Sequence, residues 1–501
     1  SGGRGKKYQC SSEETSEEVK DRAVELLTET IRRLTHWHVW DDWWIIEHAD
    51  EWLSARDRLE IQLRGRYSNE IVKDLLRLVD KFINYNEQFL NYWHEADNEV
   101  RKLIEDLLNG RAKVIIRGED TVGVSVYGEH ITLNVQDMST GITVHLVLKG
   151  LGGIIVRVPD VFRKTMSKKE YTKFIKKVLR ALRGGFAETD ETVDRDKPVM
   201  ETTQIWQVVV WSLLYFGSMY VHISRINVND SNVTITWHLR SSHDPLKDKI
   251  LSDVNKLSEE ELLAFTLTAV LGDGWVDVVK PIINGRAYNE AVIKIAMSGE
   301  EYKAWEPLLE RLKSIGFKCG KPSLINGNAV EVAFNGSNAI GLSRAMMAVL
   351  PPILRDILDA LSFEKWERIK QIAEMEVKFR RGEMKIEVAG YGFTVKARDD
   401  TVELEHRAKD DTEVSGVISA LRARYGDGFA VNTRKSGRYR VVAIPAYIFE
   451  RYDDIKERVI QVLCRKLEKT KDERKRQVIT KHLRRLAPTK GAAALSDLFP
   501  D

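Results

Sequence analysis

One apolar helix with a carboxylate at its end constrains this chain more than any other feature. Residues 257–278 read LSEEELLAFTLTAVLGDGWVDV. Ser258 with Glu261 three residues on forms a capping box, which starts a helix running through Leu271. The helix ends on Gly272-Asp273-Gly274, and Trp275 opens an extended segment. A carboxylate at a helix C-terminus meets the negative end of the helix dipole. A divalent cation would remove that penalty, because Mg²⁺ favours carboxylate oxygens and keeps several waters. A plain turn with glycine in left-handed positions is the bland alternative. Strand-like WVDVVK follows, then a turn near Asn284-Gly285 and strand-like AVIKIAM. Residues 300–315 read as helix, two strands flank Asn326-Gly327, and residues 337–361 read as helix again. The predicted order is α-β-β-α-β-β-α.

The chain has 501 residues, more than one hydrophobic core usually serves, so several domains are expected. Lys plus Arg number 78 against 75 Asp plus Glu, so any nucleic-acid affinity must come from locally segregated charge. Cys10, Cys319 and Cys464 lie far apart with no CxxC pair. That excludes a disulfide framework and a zinc finger, and suits a reducing, cytoplasmic setting. Heavy Lys, Arg and Glu use resembles thermophile composition. No basic region followed by an apolar one opens the chain, so no secretion signal is expected. The apolar run 205–221 leads into the alternation Met219–Ile223, which reads as a buried helix entering a strand, with no membrane partner.

Residues 1–17 are polar and expected to be flexible. From 18 to 110 the pattern is helical; Ile71, Leu75, Leu78, Phe82, Tyr85 and Phe89 begin a stripe that suits an arm or a local bundle. As an arm it would support a homodimer. His36, His38, Asp41, Asp42 and His48 imitate a metal set, but His36 and His38 point to different helix faces. Residues 111–186 read as a β-rich domain followed by a basic helix, Lys168–Arg183, with a phosphate-contacting or merely solvated face. The acidic, proline-containing stretch 187–203 reads as a linker. Residues 376–464 read as a separate α/β domain. The tail 465–501 is basic, with Arg465, Lys466, Lys469, Arg474, Lys475, Arg476, Lys481, Arg484 and Arg485 suited to phosphate backbones.

LLAFTLTAVLGDGWV, with the topology expected after it, resembles the LAGLIDADG homing-endonuclease repeat in its archaeal GDG form. The chain also loosely resembles repeat-associated crenarchaeal proteins that carry a degenerate domain of this kind. The resemblance implies an α+β multidomain chain: an N-terminal helical region, a β-rich middle, an αββαββα domain over 257–375, and a C-terminal α/β domain with a basic helical tail. It implies that Asp273 is catalytic and binds Mg²⁺ or Mn²⁺, and that Ala269, Gly272 and Gly274 let motif helices approach. Lys294 is the expected supporting lysine, Asp277 a second metal carboxylate, and Lys318 and Lys321 are expected phosphate contacts. The sheet would lie in the DNA major groove, where side chains read base edges.

Cleavage of two strands needs a second repeat. One internal choice is a truncated half over 204–256, which sets Ser218 at the position of Asp273. The other is VSGVISALRARYGDGFAV, which offers Asp427. The expected function is a metal-dependent, site-specific DNA endonuclease with duplex DNA as partner. The alternatives are a catalytically inactive DNA- or RNA-binding regulator or maturase-like factor, or a scaffold protein.

Overall fold

The computed structural model describes residues 16–486 except 119–120, 139, 284–285, 288, 326–328, 376–383 and 438. Two compact units divide the chain: residues 1–334 with 341–372, and residues 335–340 with 373–501.

The first unit opens with three helices, α1 (Glu17–His36), α2 (Trp43–Leu63) and α3 (Asn69–Leu108). Ser16 caps α1 by accepting from the Val19 amide, which fixes the helix start. Five strands follow: β1 (Val114–Gly118), β2 (Val122–Tyr127), β3 (Ile131–Met138), β4 (Gly141–Leu148) and β5 (Ile154–Val158). Then come α4 (Val161–Thr165), α5 (Lys168–Phe174), a π-helical turn over Ile175–Leu179, and α6 (Arg180–Glu188). Next are β6 (Glu191–Asp194), β7 (Lys197–Thr202), α7 (Ile205–Leu214), β8 (Gly217–Val228) and β9 (Val233–Ser241). After the short α8 (Lys249–Ser252) comes α9 (Glu259–Asp273), with the expected capping box on Ser258 and Glu261. It leads into β10 (Gly274–Val279), the hairpin β11 (Ile282–Ile283) and β12 (Arg286–Ala287), and β13 (Glu290–Ser298). The remainder is α10 (Gly299–Ser314), β14 (Ser323–Ile325), β15 (Ala329–Asn335), α11 (Ser337–Ala348), α12 (Pro352–Leu361) and α13 (Glu364–Glu374).

Two halves of this unit repeat the same order. Helix α6, hairpin β6–β7, α7 and β8–β9 match α9, β10 with β13, α10 and β14–β15. In each half the strands lie first-second-fourth-third: β6-β7-β9-β8 and β10-β13-β15-β14. The stretch 187–203, expected as a linker, is therefore the end of α6 and a hairpin. Its acids are not all solvated: Glu191 is buried and accepts from the Trp211 indole and the Tyr215 hydroxyl. Segment 204–256 is not a truncated half but the second part of a complete one. Its apolar helix α7 is buried, and Ser218 stands exposed on β8. Among the described residues no helix is long and apolar enough to cross a membrane.

Strands β1 to β4 extend the first half's sheet through β4 against β8, and β5 pairs with the start of β8. Helices α1 to α3 cover its apolar face. Trp237 of β9 packs between Trp52, Phe82 and Tyr85, and its indole donates to His48 Nε2 at 3.0 Å. His48 also accepts from Trp52, so it is a core acceptor and not a metal ligand. The α3 stripe is buried in the chain's own fold.

Helix α9 is buried without interruption from Glu261 to Leu271, because helices and sheet surround it. Its closest neighbour is α6. A Cβ on Gly185 would stand 2.3 Å from the Phe265 carbonyl oxygen and 2.8 Å from the Ala269 nitrogen. Gly185 thus sets the distance between the helices. Gly185→Ala is expected to destabilise the unit by about 1–3 kcal/mol, read as a lower urea midpoint, since backbone must move to admit the methyl.

The second unit is a five-stranded antiparallel sheet, β16 (Lys385–Val388), β17 (Tyr391–Ala397), β18 (Val402–Ala408), β19 (Asn432–Ser436) and β20 (Tyr439–Pro445), in the order β16-β17-β18-β20-β19. Helices α14 (Asp411–Tyr425), α15 (Ala446–Phe449), α16 (Asp453–Lys469) and α17 (Glu473–Leu486) accompany it. The tail expected as a basic appendage is folded into this unit as far as Leu486; residues 487–501 lie outside the described part. Leu467, Ile479, Leu483 and Leu486 join the core with Val395 and Phe393. Leu483→Ala is expected to cost about 2–5 kcal/mol, measured by chemical denaturation of the full chain.

Candidate functional site

Two crossing helices deliver two carboxylates to one place. Asp273 is the last residue of α9, and Asp190 follows the end of α6. The small residues at the crossing make this approach possible. A Cβ on Gly272 would meet Thr189 Oγ1 at 2.4 Å and Asp190 Oδ2 at 2.7 Å. A Cβ on Gly274 would stand 2.5 Å from the Val270 carbonyl oxygen of the preceding turn. Burial, followed by the neighbouring charge of Asp273, pushes the Asp190 carboxyl up to about 6. Opposing these, the Gln207 side-chain amide donates to Asp190 Oδ2, and Gln207 is itself held by the Thr202 hydroxyl.

A cation completes the group. Lys365 of α13 donates to the carbonyl oxygens of Leu271, at 2.8 Å, and Gly272. Those are orphan carbonyls at the end of α9, where a positive charge is favoured. Burial lowers the Lys365 pKa, while Asp190 and Asp273 act in the opposite sense. Trp206, beside Gln207, stacks on Phe363 at 4.0 Å and 5° between planes. This stack ties α7 to the α12–α13 turn and so positions Gln207 and Lys365 together.

The sequence singled out Asp273, Ala269, Gly272 and Gly274 but missed Asp190, Gln207 and Lys365. Asp190 occupies the place opposite Asp273 that was given to Ser218, because α6 and not α7 crosses α9. Lys294 of β13 stands elsewhere, paired with Glu331 at 3.0 Å and over the Trp275 ring. Asp277 lies on β10, held by Arg368 at 3.5 Å and by the Val278 amide. Lys318 and Lys321 are exposed in the connection between α10 and β14. Asp427 is exposed beyond the end of α14 in the second unit.

The basic tail residues are mostly engaged within their unit. Lys466 is half-buried, donates to the Val395 carbonyl at 2.7 Å, and has its pKa lowered to about 8 by desolvation and by Lys396. Arg474 meets Asp399, Lys475 meets Asp472, and Arg485 meets Glu450. Arg476 donates to the Leu467 and Thr470 carbonyls, and Lys481 to that of Asp399. Arg465, Lys469 and Arg484 sit on the same two helices.

The chain's own donors fit a hard divalent cation, since two facing carboxylates supply oxygen ligands that a cation would hold deprotonated. Among the described residues, no group of three or more His, Cys, Asp or Glu side chains is assembled as a metal cage. Water and carbonyl oxygens would therefore complete any coordination.

The two carboxylates make a measurable statement about stability. Asp190 binds its proton more tightly folded than unfolded, so it costs stability as pH rises from about 4 to about 6 and above. Asp190→Asn should therefore stabilise the chain by about 1–3 kcal/mol at pH 8, and by about half as much at pH 5, in thermal or urea unfolding.

No protein-family model matches the chain, and no curated protein does. Solved structures with partial similarity include full-length DUF199/WhiA from Thermatoga maritima. It is 13% identical over 49% of this chain and 68% of that one, with a TM-score of 0.22. Another is the I-SmaMI LAGLIDADG homing endonuclease bound to cleaved DNA, 11% identical over 47% of this chain and 98% of that one, with a TM-score of 0.14.

Proposed function

We propose that this chain binds duplex DNA on its sheet faces and hydrolyses phosphodiester bonds at Asp190 and Asp273 with Mg²⁺ or Mn²⁺. The meeting of two carboxylates from two pseudo-repeated helices carries this reading, because both halves of such a centre are supplied by one chain. Asp190 and Asp273 would hold the cation, which when bound supplies polarisation of a phosphodiester and a more acidic water. Lys365 would offset charge growing on a phosphate oxygen beside them. Gln207 fixes the Asp190 carboxylate, leaving its other oxygen for ligand or proton. Exposed arginines on the larger sheet, Arg117 and Arg157, would supply phosphate attraction that the near-neutral overall balance does not.

A second reading has one specific observation in its favour. Lys365 already balances the carboxylate pair from inside, so the site is tolerable without a cation, as a DNA- or RNA-binding regulator would require. Two measurements separate them. Mg²⁺ should raise the melting temperature of the natural chain but not of Asp190→Asn or Asp273→Asn, and each substitution should abolish Mg²⁺-dependent strand scission by at least about a hundredfold while duplex binding persists. Scission that survives both substitutions would sink the catalytic assignment. Duplex binding without Mg²⁺ response or scission would leave the regulator.

A further inference from the structure

The larger sheet has two unlike faces. Residues such as Val124, Leu133, Val135, Val144, Leu146 and Ile226 are buried under the N-terminal helices. The other face carries polar side chains among the exposed Tyr127, Met138 and Ile155, and it does not stop at the four strands of the first half. Cross-strand register carries a polar row from Ser125 of β2 to Asn134 of β3, His145 of β4 and Asn227 of β8. Side-chain bonds follow the same row: Ser125 Oγ donates to Asn134 Oδ1 at 2.8 Å, and His145 Nδ1 stands 2.8 Å from Asn227 Oδ1. Asn227 in turn donates to Thr236 Oγ1 of β9 at 2.7 Å. The face is thus one continuous surface from β2 to the strands nearest Asp190.

Its chemistry is selective. Strand alternation sets Arg117 of β1 opposite Gly123, beside Gln136, and sets Arg157 of β5 opposite Ser218. Among the described residues, no carboxylate stands on this face of β1–β5. Asp137 points the other way, where Arg22 of α1 holds it at 2.8 Å. Nearer the site, Arg225 and Arg240 share the face with Glu201 and Asp194, which they meet. The extension is therefore rich in Arg, Asn, Gln, Ser and Thr, the side chains that contact phosphates and read base edges. Thr132 Oγ1, Thr143 Oγ1, His222 Nδ1 and Arg225 Nε on this side are sealed from solvent without a hydrogen-bond partner, so the groups open to an outside partner are Arg117, Asn134, Gln136 and Arg157.

We infer that strands β1–β5 are a second reading surface for duplex DNA, continuous with the first half's sheet, so that the chain recognises a target longer on one side of its centre. This rests on the DNA-binding reading above. Four further strands at about 4.8 Å spacing add about 19 Å, or about five base pairs at about 3.4 Å each.

Selection from a library of random 40-base-pair duplexes tests it, with the full chain and with Arg117→Ala/Asn134→Ala/His145→Ala/Arg157→Ala in parallel. Matched circular dichroism melts confirm folding, and Arg117→Ala/Arg157→Ala alone, at exposed positions, serves if the fourfold variant does not fold. The natural chain should enrich an asymmetric motif, and the variant should lose about five positions from the longer side only. Affinity for the full selected duplex should fall at least about tenfold in the variant, but not for a duplex trimmed on that side. Identical motifs from both proteins would overturn the inference and leave the DNA-binding reading standing. No enrichment by the natural chain would overturn both, and enrichment from a parallel RNA pool alone would overturn the duplex assignment.

Discussion

The approach of α6 to α9 at Gly185 is the constraint on which the rest of the first unit depends. Two helices can bring their C-terminal acids together only if their backbones nearly touch, and a single methyl at Gly185 would meet the Phe265 carbonyl. Each sheet half takes its place from the helix that precedes it, so the crossing also sets the two halves side by side. The apolar length of α9 follows from the same fact, since a helix enclosed by another helix and by strands has no face left for water. Gln207 and Lys365 are what oppose the repulsion between Asp190 and Asp273.

The second half of this architecture was legible in the sequence, and the first was not, for a physical reason. In LLAFTLTAVLGDGW the helix is uniformly apolar and its end is marked by glycines around one acid. The corresponding stretch, FIKKVLRALRGGFAETDETV, mixes lysines and arginines into the helix and sets two more acids, Glu188 and Glu191, around the decisive one. Its flank is basic because α5 and the lysines of the π-helical turn lie at the surface, while α6 packs most closely on α9. Charge density therefore suggested a solvated helix and a linker. The signals that could have found it were Gly184-Gly185 followed by an acid, then a hairpin, a helix and a second hairpin in the order seen again after Asp273. Lys365 carried no local signal, because its role comes from the Leu271 and Gly272 carbonyls, more than ninety residues earlier in the chain.

The tail shows the converse error of reading charge without partners. Eleven basic residues in one stretch look like a polyanion-binding surface, yet α16 and α17 are amphipathic and their apolar sides complete the core of the second unit. Many of the cations are spent on carbonyls and carboxylates of the same unit. The outward face of β1–β5 was missed for the opposite reason. Its two arginines and its amides are dispersed over separate strands, and only antiparallel register gathers them.

The two kinds of polar group in the first unit differ in how they are held. Along the outward sheet face, groups such as Thr132 and His222 lack partners, which a native fold keeps only where something else compensates. At the crossing, the opposite holds: Asp190 has Gln207, Gln207 has Thr202, and Lys365 has two carbonyls, while Trp206 on Phe363 locks their backbones. A preorganised charged cluster of this kind costs stability and resists rearrangement. The division between a tightly held centre and a looser face follows from which residues the helix crossing encloses and which lie on the open side of the sheet.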